Sequence, residues 1–274
     1  MNHVELHNNV KMPQLGFGVW QVDTQDAEPA VTKALETGYR SIDTAAIYGN
    51  ERQVGEAIAN SDLPREDLFI TTKVWNADQG YENTLKAFEE SLIKLGLDYV
   101  DLYLIHWPTP EYDDYVDTYK AMEKLQKDGK VGAIGVCNFD IDHLQRLLDE
   151  CDVKPAINQV ECHPYLAQKD LKEFCEDRGI QMEAWSPLMQ GGEVLKDPVV
   201  QQIATAHGKT GAQVIIRWHL QNNRVVIPKS ITPTRIEENF DVFDFELTDE
   251  DMEKLNGLDS GTRKGPRPSE MNIR

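Results

Sequence analysis

Tyr99-Val100-Asp101-Leu102-Tyr103-Leu104-Ile105-His106 decides how the rest of the chain is read. Apolar and β-branched residues run without a break and then stop at a titratable one, as in a strand buried on both faces. Equivalent runs lie at regular distances: Arg40–Asp43, Leu68–Lys73, Val131–Val136, Ala156–Val160, Ile180–Trp185 and Arg224–Ile227, with a glycine-bearing run at Leu15–Trp20. From Ile42 to Ile70 is 28 residues, from Ile70 to Leu102 is 32, and from Leu102 to Ile134 is 32. Each interval fits one strand, one helix and two loops.

The stretches between read as helices. In Tyr81–Leu95, Leu85, Phe88, Leu92 and Leu95 share a face, and Glu82/Lys86 and Glu90/Lys94 have ion-pair spacing on the other. Thr210 with Gln213 is a capping-box start for Ala212–Gln221, Thr232-Pro233 places a cap before a first-turn proline, and Thr248 opens an acidic first turn. Eight βα units over 274 residues predict a (β/α)8 TIM barrel forming a single domain over 1–274. Val4–Asn9 and Lys11–Gln14 predict an N-terminal β-hairpin closing its bottom.

Composition removes several functions. With 47 acidic against 28 basic residues and a net charge of −19, the chain would repel nucleic acid. No window approaches 18 consecutive apolar residues, and the first residues lack the pattern of a signal peptide, so neither a membrane span nor export is expected. Cys137, Cys151, Cys162 and Cys175 lie 14, 11 and 13 residues apart, which fits neither a zinc ribbon nor a disulfide framework and suits a reduced, cytoplasmic protein. Gly16-Phe17-Gly18 lacks the third glycine of a dinucleotide fingerprint, and Gly208-Lys209-Thr210 has Ile203 where a P-loop needs glycine. Glu161-Cys162-His163 is a poor metal site, because adjacent strand residues face opposite ways and Cys162 cannot easily share a site with both neighbours; no metal is expected.

Barrel enzymes place chemistry at the C-terminal ends of their strands. Those ends supply Asp43, Lys73 and His106 from successive strands, with Tyr48 on the loop after Asp43. A phenol titrates near ~10, too high for ready proton exchange at neutral pH. A nearby ammonium lowers that value, a carboxylate keeps the ammonium in place, and a neutral imidazole can orient a carbonyl oxygen. The set can polarise and protonate a carbonyl but supplies no electrons, so a cofactor must bring a hydride. The segment after the last strand offers Lys229, a hydroxyl and a helix N-terminus, with Arg235 suited to a forked phosphate contact, which favours NADPH over NADH. Trp20, Trp75 and Trp107, each near a strand end, read with His106 as the wall of a pocket for small carbonyl compounds.

These segments carry a resemblance. Ile42-Asp43-Thr44-Ala45-Ala46-Ile47-Tyr48-Gly49-Asn50-Glu51, Thr72-Lys73-Val74-Trp75, Leu102-Tyr103-Leu104-Ile105-His106-Trp107-Pro108 and Ile227–Phe240 are similar to signatures of the aldo-keto reductase superfamily, in order and over nearly the whole chain. Within it, the sequence most resembles the prokaryotic branch of 2,5-diketo-D-gluconate and glyoxal or methylglyoxal reductases. The resemblance implies a barrel binding NADPH and a tetrad of Asp43, Tyr48, Lys73 and His106, with Tyr48 as general acid. It further implies Asn138 and Gln159 on the nicotinamide amide and Trp185 against the ring. Ser186, Leu188, Gln190 and Gly191 would lie along the pyrophosphate, and Lys229, Ser230, Arg235, Glu238 and Asn239 at the adenosine end. The implied substrate is a small aldehyde or ketone, and a monomer is expected. Two departures stand out: Cys137 where the family has Ser, and Arg267 in Gly265-Pro266-Arg267-Pro268-Ser269 where relatives more often carry an acid. A non-catalytic NADPH sensor and a metal hydrolase using His106, Asp43 and His163 are the alternatives, disfavoured by the complete tetrad and by Lys73, which would repel a cation.

Overall fold

A computed structural model describes residues 2–274. Strands β1 (His3–Glu5) and β2 (Lys11–Pro13) form an antiparallel hairpin, with Val4 opposite Met12. Eight parallel strands follow: β3 (Phe17–Gly18), β4 (Ser41–Asp43), β5 (Phe69–Val74), β6 (Val100–Ile105), β7 (Val131–Cys137), β8 (Ile157–Glu161), β9 (Gln181–Trp185) and β10 (Val225–Val226). Each pairs with the next in sequence, and a parallel bridge from Leu15 to Val226 brings the last strand back to the first. The expected barrel and hairpin are therefore both present, with β3 and β10 shorter than the sequence runs suggest.

Among the described residues ten helices accompany the strands: α1 (Thr24–Thr37), α2 (Glu51–Ala59), α3 (Tyr81–Leu95), α4 (Tyr115–Lys127), α5 (Ile141–Glu150), α6 (Lys169–Asp177), α7 (Pro198–His207), α8 (Gly211–Gln221), α9 (Pro233–Phe240) and α10 (Asp249–Asn256). The capping boxes at Thr210 and Thr248 form, while Thr232 caps α9 without a side-chain bond. The ion pairs read into α3 do not close: Lys94 instead lies 4.0 Å from the buried Glu51 of α2. An exposed intrahelical pair stabilises little, so the side chain follows the buried charge.

Strand parity divides the core. On β6, Tyr103 and Ile105 pack outward beneath the helices, while Leu102 and Leu104 point inward. The inward set joins Phe69, Ile157 and Val225 with Val4, Leu6 and Met12 of the hairpin, so the hairpin plugs the bottom of the barrel with apolar side chains. Nearer the C-terminal ends of the strands the inward positions turn polar, among them Asp43, Lys73, Gln159 and Glu183.

Candidate active site

The same parity sets the site. Lys73 lies four residues beyond the inward-facing Phe69, so it projects into the barrel, where it is wholly buried. Asp43 ends β4 on the inner face. Lys73 Nζ donates to Asp43 Oδ1 at 2.6 Å and to the Thr44 carbonyl at 2.9 Å. Tyr48 sits in a short 3₁₀ turn, Ala46–Tyr48, that ends at Gly49 with φ of 71°, a conformation glycine adopts without steric cost. Buried Asn50 fixes this turn: it accepts from Thr44 Oγ1 at 2.8 Å and donates to the carbonyls of Val19 and Val22. Lys73 Nζ is 5.1 Å from the centre of the Tyr48 ring. His106, just past β6, meets Tyr48 edge-on at 5.6 Å and Trp75 at 5.3 Å.

The electrostatics differ in one respect from the sequence expectation. Burial pushes the Tyr48 phenol above its ordinary range, and the Lys73 ammonium offsets this only in part. Desolvation penalises a phenolate more than one nearby ammonium, already committed to Asp43, can repay. His106 is pushed well down, first by burial and then by Lys73, so its imidazole is neutral. Burial is the largest single influence on Lys73 and would lower its ammonium, but Asp43, Tyr48 and Cys137 together outweigh it, so Lys73 is held charged.

Every predicted site residue except Lys73 borders one cavity of about 1070 Å³; Lys73 lies behind its floor. Trp20, Trp75 and Trp107 stand on its wall with Tyr48 and His106. Asn138, in the left-handed region at φ 62°, donates to the His106 carbonyl at 3.0 Å and accepts from Trp185 Nε1 at 2.8 Å. Gln159 Nε2 donates to Asp43 Oδ2 at 2.8 Å and to Glu183 Oε2 at 3.0 Å. Ser186, Met189 and Gln190 also have positive φ, so the loop carrying Ser186, Leu188, Gln190 and Gly191 is tightly coiled against the cavity. At the far end lie Lys229, Ser230, Arg235, Glu238 and Asn239. Lys229 and Arg235 are exposed cations at the start of α9, whereas Glu238 is engaged by Thr210 Oγ1 at 2.8 Å.

Several features escaped the sequence reading. Lys264, Gly265, Pro266 and Met271 form part of the cavity wall, whereas Arg267 does not; the cation that faces the cavity from the C-terminal segment is Lys264. Glu161 holds this segment by accepting from the Lys264 and Gly265 amides at 2.7 and 2.9 Å, while His163 bonds its Oε1 at 2.9 Å. Nothing local in the sequence announces a contact across 103 residues. Glu183 was also overlooked, although its parity with Trp185 on β9 was readable. Cys137 Sγ lies 3.2 Å from Asn138 Nδ2, its thiol pushed well up by burial. Cys162 turns away from Glu161 and His163 toward the Ala167 carbonyl, and His106, Asp43 and His163 do not gather as metal ligands. The one such cluster among the described residues, Asp140, Asp142 and His143, belongs to the cap of α5.

Comparison with known proteins agrees with this architecture. Residues 14–260 match the model of the aldo/keto reductase family. The chain is 57% identical over 269 residues to glyoxal reductase of Bacillus subtilis, covering 98% of this chain and 96% of that one. It is 52% identical over 268 residues to the methylglyoxal reductase DkgA of Escherichia coli, covering 97% of each. Among solved structures, a variant of Gox0644 in complex with NADPH superposes with a TM-score of 0.95 at 44% identity, covering 99% of both chains. An aldo-keto reductase from a Medee basin deep-sea metagenome library gives 0.97 at 48% identity, covering 99% of this chain and 100% of that one. A closed parallel barrel, its chemistry gathered at the strand ends, and a family match spanning almost all of it make this chain a member of the aldo/keto reductase family and an oxidoreductase.

Proposed function

We propose that the protein reduces small aldehydes and ketones to alcohols with NADPH, acting on dicarbonyls or keto-sugars such as methylglyoxal or 2,5-diketo-D-gluconate, with Tyr48 as general acid. The observation that carries this reading is the continuity of one cavity from Tyr48 and His106 to Lys229 and Arg235. The relatives named for glyoxal and methylglyoxal and the NADPH-bound neighbour support it. So do the residues at the far end: two exposed cations beside a helix N-terminus suit a 2′-phosphate, and the partly exposed Trp185 offers an aromatic face. When bound, the cofactor supplies the hydride.

The chain's own residues do the rest. Neutral His106 and the Tyr48 hydroxyl orient the substrate oxygen, and Tyr48 gives up its proton as negative charge develops there. Lys73, kept charged and immobile by Asp43, stabilises the phenolate that remains. Because the resting phenol is held up by desolvation, it keeps its proton until that moment. The tryptophans exclude water and shape a site for small substrates. The same reading takes the 274 residues as one barrel domain working as a monomer in the cytoplasm.

Tyr48→Phe tests it. NADPH oxidation with methylglyoxal, 2,5-diketo-D-gluconate and aromatic aldehydes should fall by about 10²–10⁴-fold, the scale of a lost general acid, while NADPH binding is retained. Retention of most turnover would remove Tyr48 from the role, and binding without turnover by the unmodified protein on every substrate would favour the sensor.

A further inference from the structure

At the base of the tetrad, the barrel interior brings together the carboxyl groups of Asp43 and Glu183 and one cation, Lys73. Asp43 takes Lys73 directly at 2.6 Å. Glu183, at 1% exposure, has no cation of its own. Its Oε2 accepts from Gln159 Nε2 at 3.0 Å, and its Oε1 has no partner among the described residues. The same Gln159 nitrogen donates to Asp43 Oδ2 at 2.8 Å. The barrel register enforces this: Gln159 is the strand partner of Glu183 on one side and of Cys137 on the other. The groups facing Glu183 are Asp43 from β4, Lys73 from β5, Cys137 from β7 and Gln159 from β8, while its β10 register partner, Val225, is apolar. Two ionised carboxylates on one amide nitrogen, with a single ammonium bound to Asp43, leave an uncompensated buried charge. One must keep its proton, and the one bonded to Lys73 is not the one to keep it.

We propose that Glu183 is a positioning residue for the reduction: a carboxyl that stays protonated and, opposite Asp43, anchors Gln159 and keeps the tetrad's interior electrically balanced. This rests on the reductase reading above. Ionising Glu183 would place a second negative charge beside Asp43, strengthen the hold of Tyr48 on its proton and disturb Gln159. Burial and the Asp43 carboxylate raise the Glu183 carboxyl to about 8, so the neutral form prevails under ordinary conditions.

Two variants and one spectroscopic titration test the assignment. Glu183→Ala should lower kcat about tenfold, the scale of one lost buried hydrogen bond, and the isosteric amide in Glu183→Gln should recover most of that loss. Unmodified protein should lose reduction rate as pH rises through about 8, and neither variant should show that limb. An infrared pH titration should show a protonated carboxyl disappearing over the same interval, absent in Glu183→Gln. The proposal is overturned if no such carboxyl is present at pH 7, if Glu183→Gln is as impaired as Glu183→Ala, or if the alkaline limb survives in both. The infrared measurement needs no turnover, so failure of the unmodified protein to reduce any substrate would count against the reductase reading alone.

Discussion

Lys73 Nζ lies 2.6 Å from Asp43 Oδ1 inside the barrel, with both side chains almost wholly withdrawn from solvent. A buried pair is tolerated because each charge answers the other, and removing one partner strands the second. Lys73→Met should therefore cost about 3–5 kcal/mol of stability as well as most of the activity. Adding Asp43→Asn should restore much of the stability and none of the turnover. Denaturant unfolding and NADPH oxidation on the single and double variants separate the two effects; a double variant no more stable than Lys73→Met would contradict this account.

Arg235 and Lys229 are exposed at the far end of the cavity, the end proposed to take the cofactor. If Arg235 holds the 2′-phosphate, Arg235→Ala should raise the KM for NADPH by about 10–100-fold, matching the roughly 1.5–3 kcal/mol of a charged hydrogen bond, and leave NADH almost unaffected. Added salt should weaken NADPH binding in the unmodified protein more than in the variant. Equal losses with both cofactors would place Arg235 elsewhere in the binding mode.

His106 and His219 are both pushed well below the usual histidine value by burial, His106 further by Lys73 and His219 further by Arg224 and His163. The unfolded chain therefore binds protons that the folded chain refuses once pH falls below the ordinary value of about 6.5. Stability is full above that pH and declines as pH drops further toward the lowered folded values. His219 has no hydrogen-bond partner for either ring nitrogen among the described residues. His219→Leu should flatten the fall in Tm between pH 7 and pH 5; an unchanged slope would show that other groups carry it.

Gly265 lies against Trp185 in the cavity wall, where the proposed function sets the cofactor. A Cβ there would meet Trp185 Cη2 at 2.6 Å and Glu161 Oε2 at 3.2 Å. Gly265→Ala should shift the indole or the C-terminal segment and weaken NADPH binding severalfold, with little change in global stability because the segment is superficial. Quenching of tryptophan fluorescence by NADPH measures this directly. Unaltered affinity would mean that the segment yields and Trp185 does not.

Much of the site was legible before any tertiary information. Asp43, Lys73 and His106 stand at strand ends because a strand made of Val, Ile and Leu has no packing use for a charge at its last position. Lys229 and Arg235 follow the last strand, where barrels bind phosphate. Other features were not legible. Glu161 meets Lys264 and Gly265 only after the chain has wrapped round the barrel. Lys94 abandons its helical neighbour for Glu51, a choice made by burial and not by spacing. The phenol of Tyr48 rises where the sequence suggested it would fall, since the extent of desolvation is a property of packing.

By itself, the sequence determined the order of strands and helices and the identities of the groups at the strand ends. These follow from periodicity, which is local. The tertiary structure alone decided which of those groups share a volume and in what charge state, because both depend on the closure of the sheet. Once Leu15 reaches Val226, the carboxyls of Asp43 and Glu183 converge on Gln159, and the single ammonium pairs with Asp43 alone.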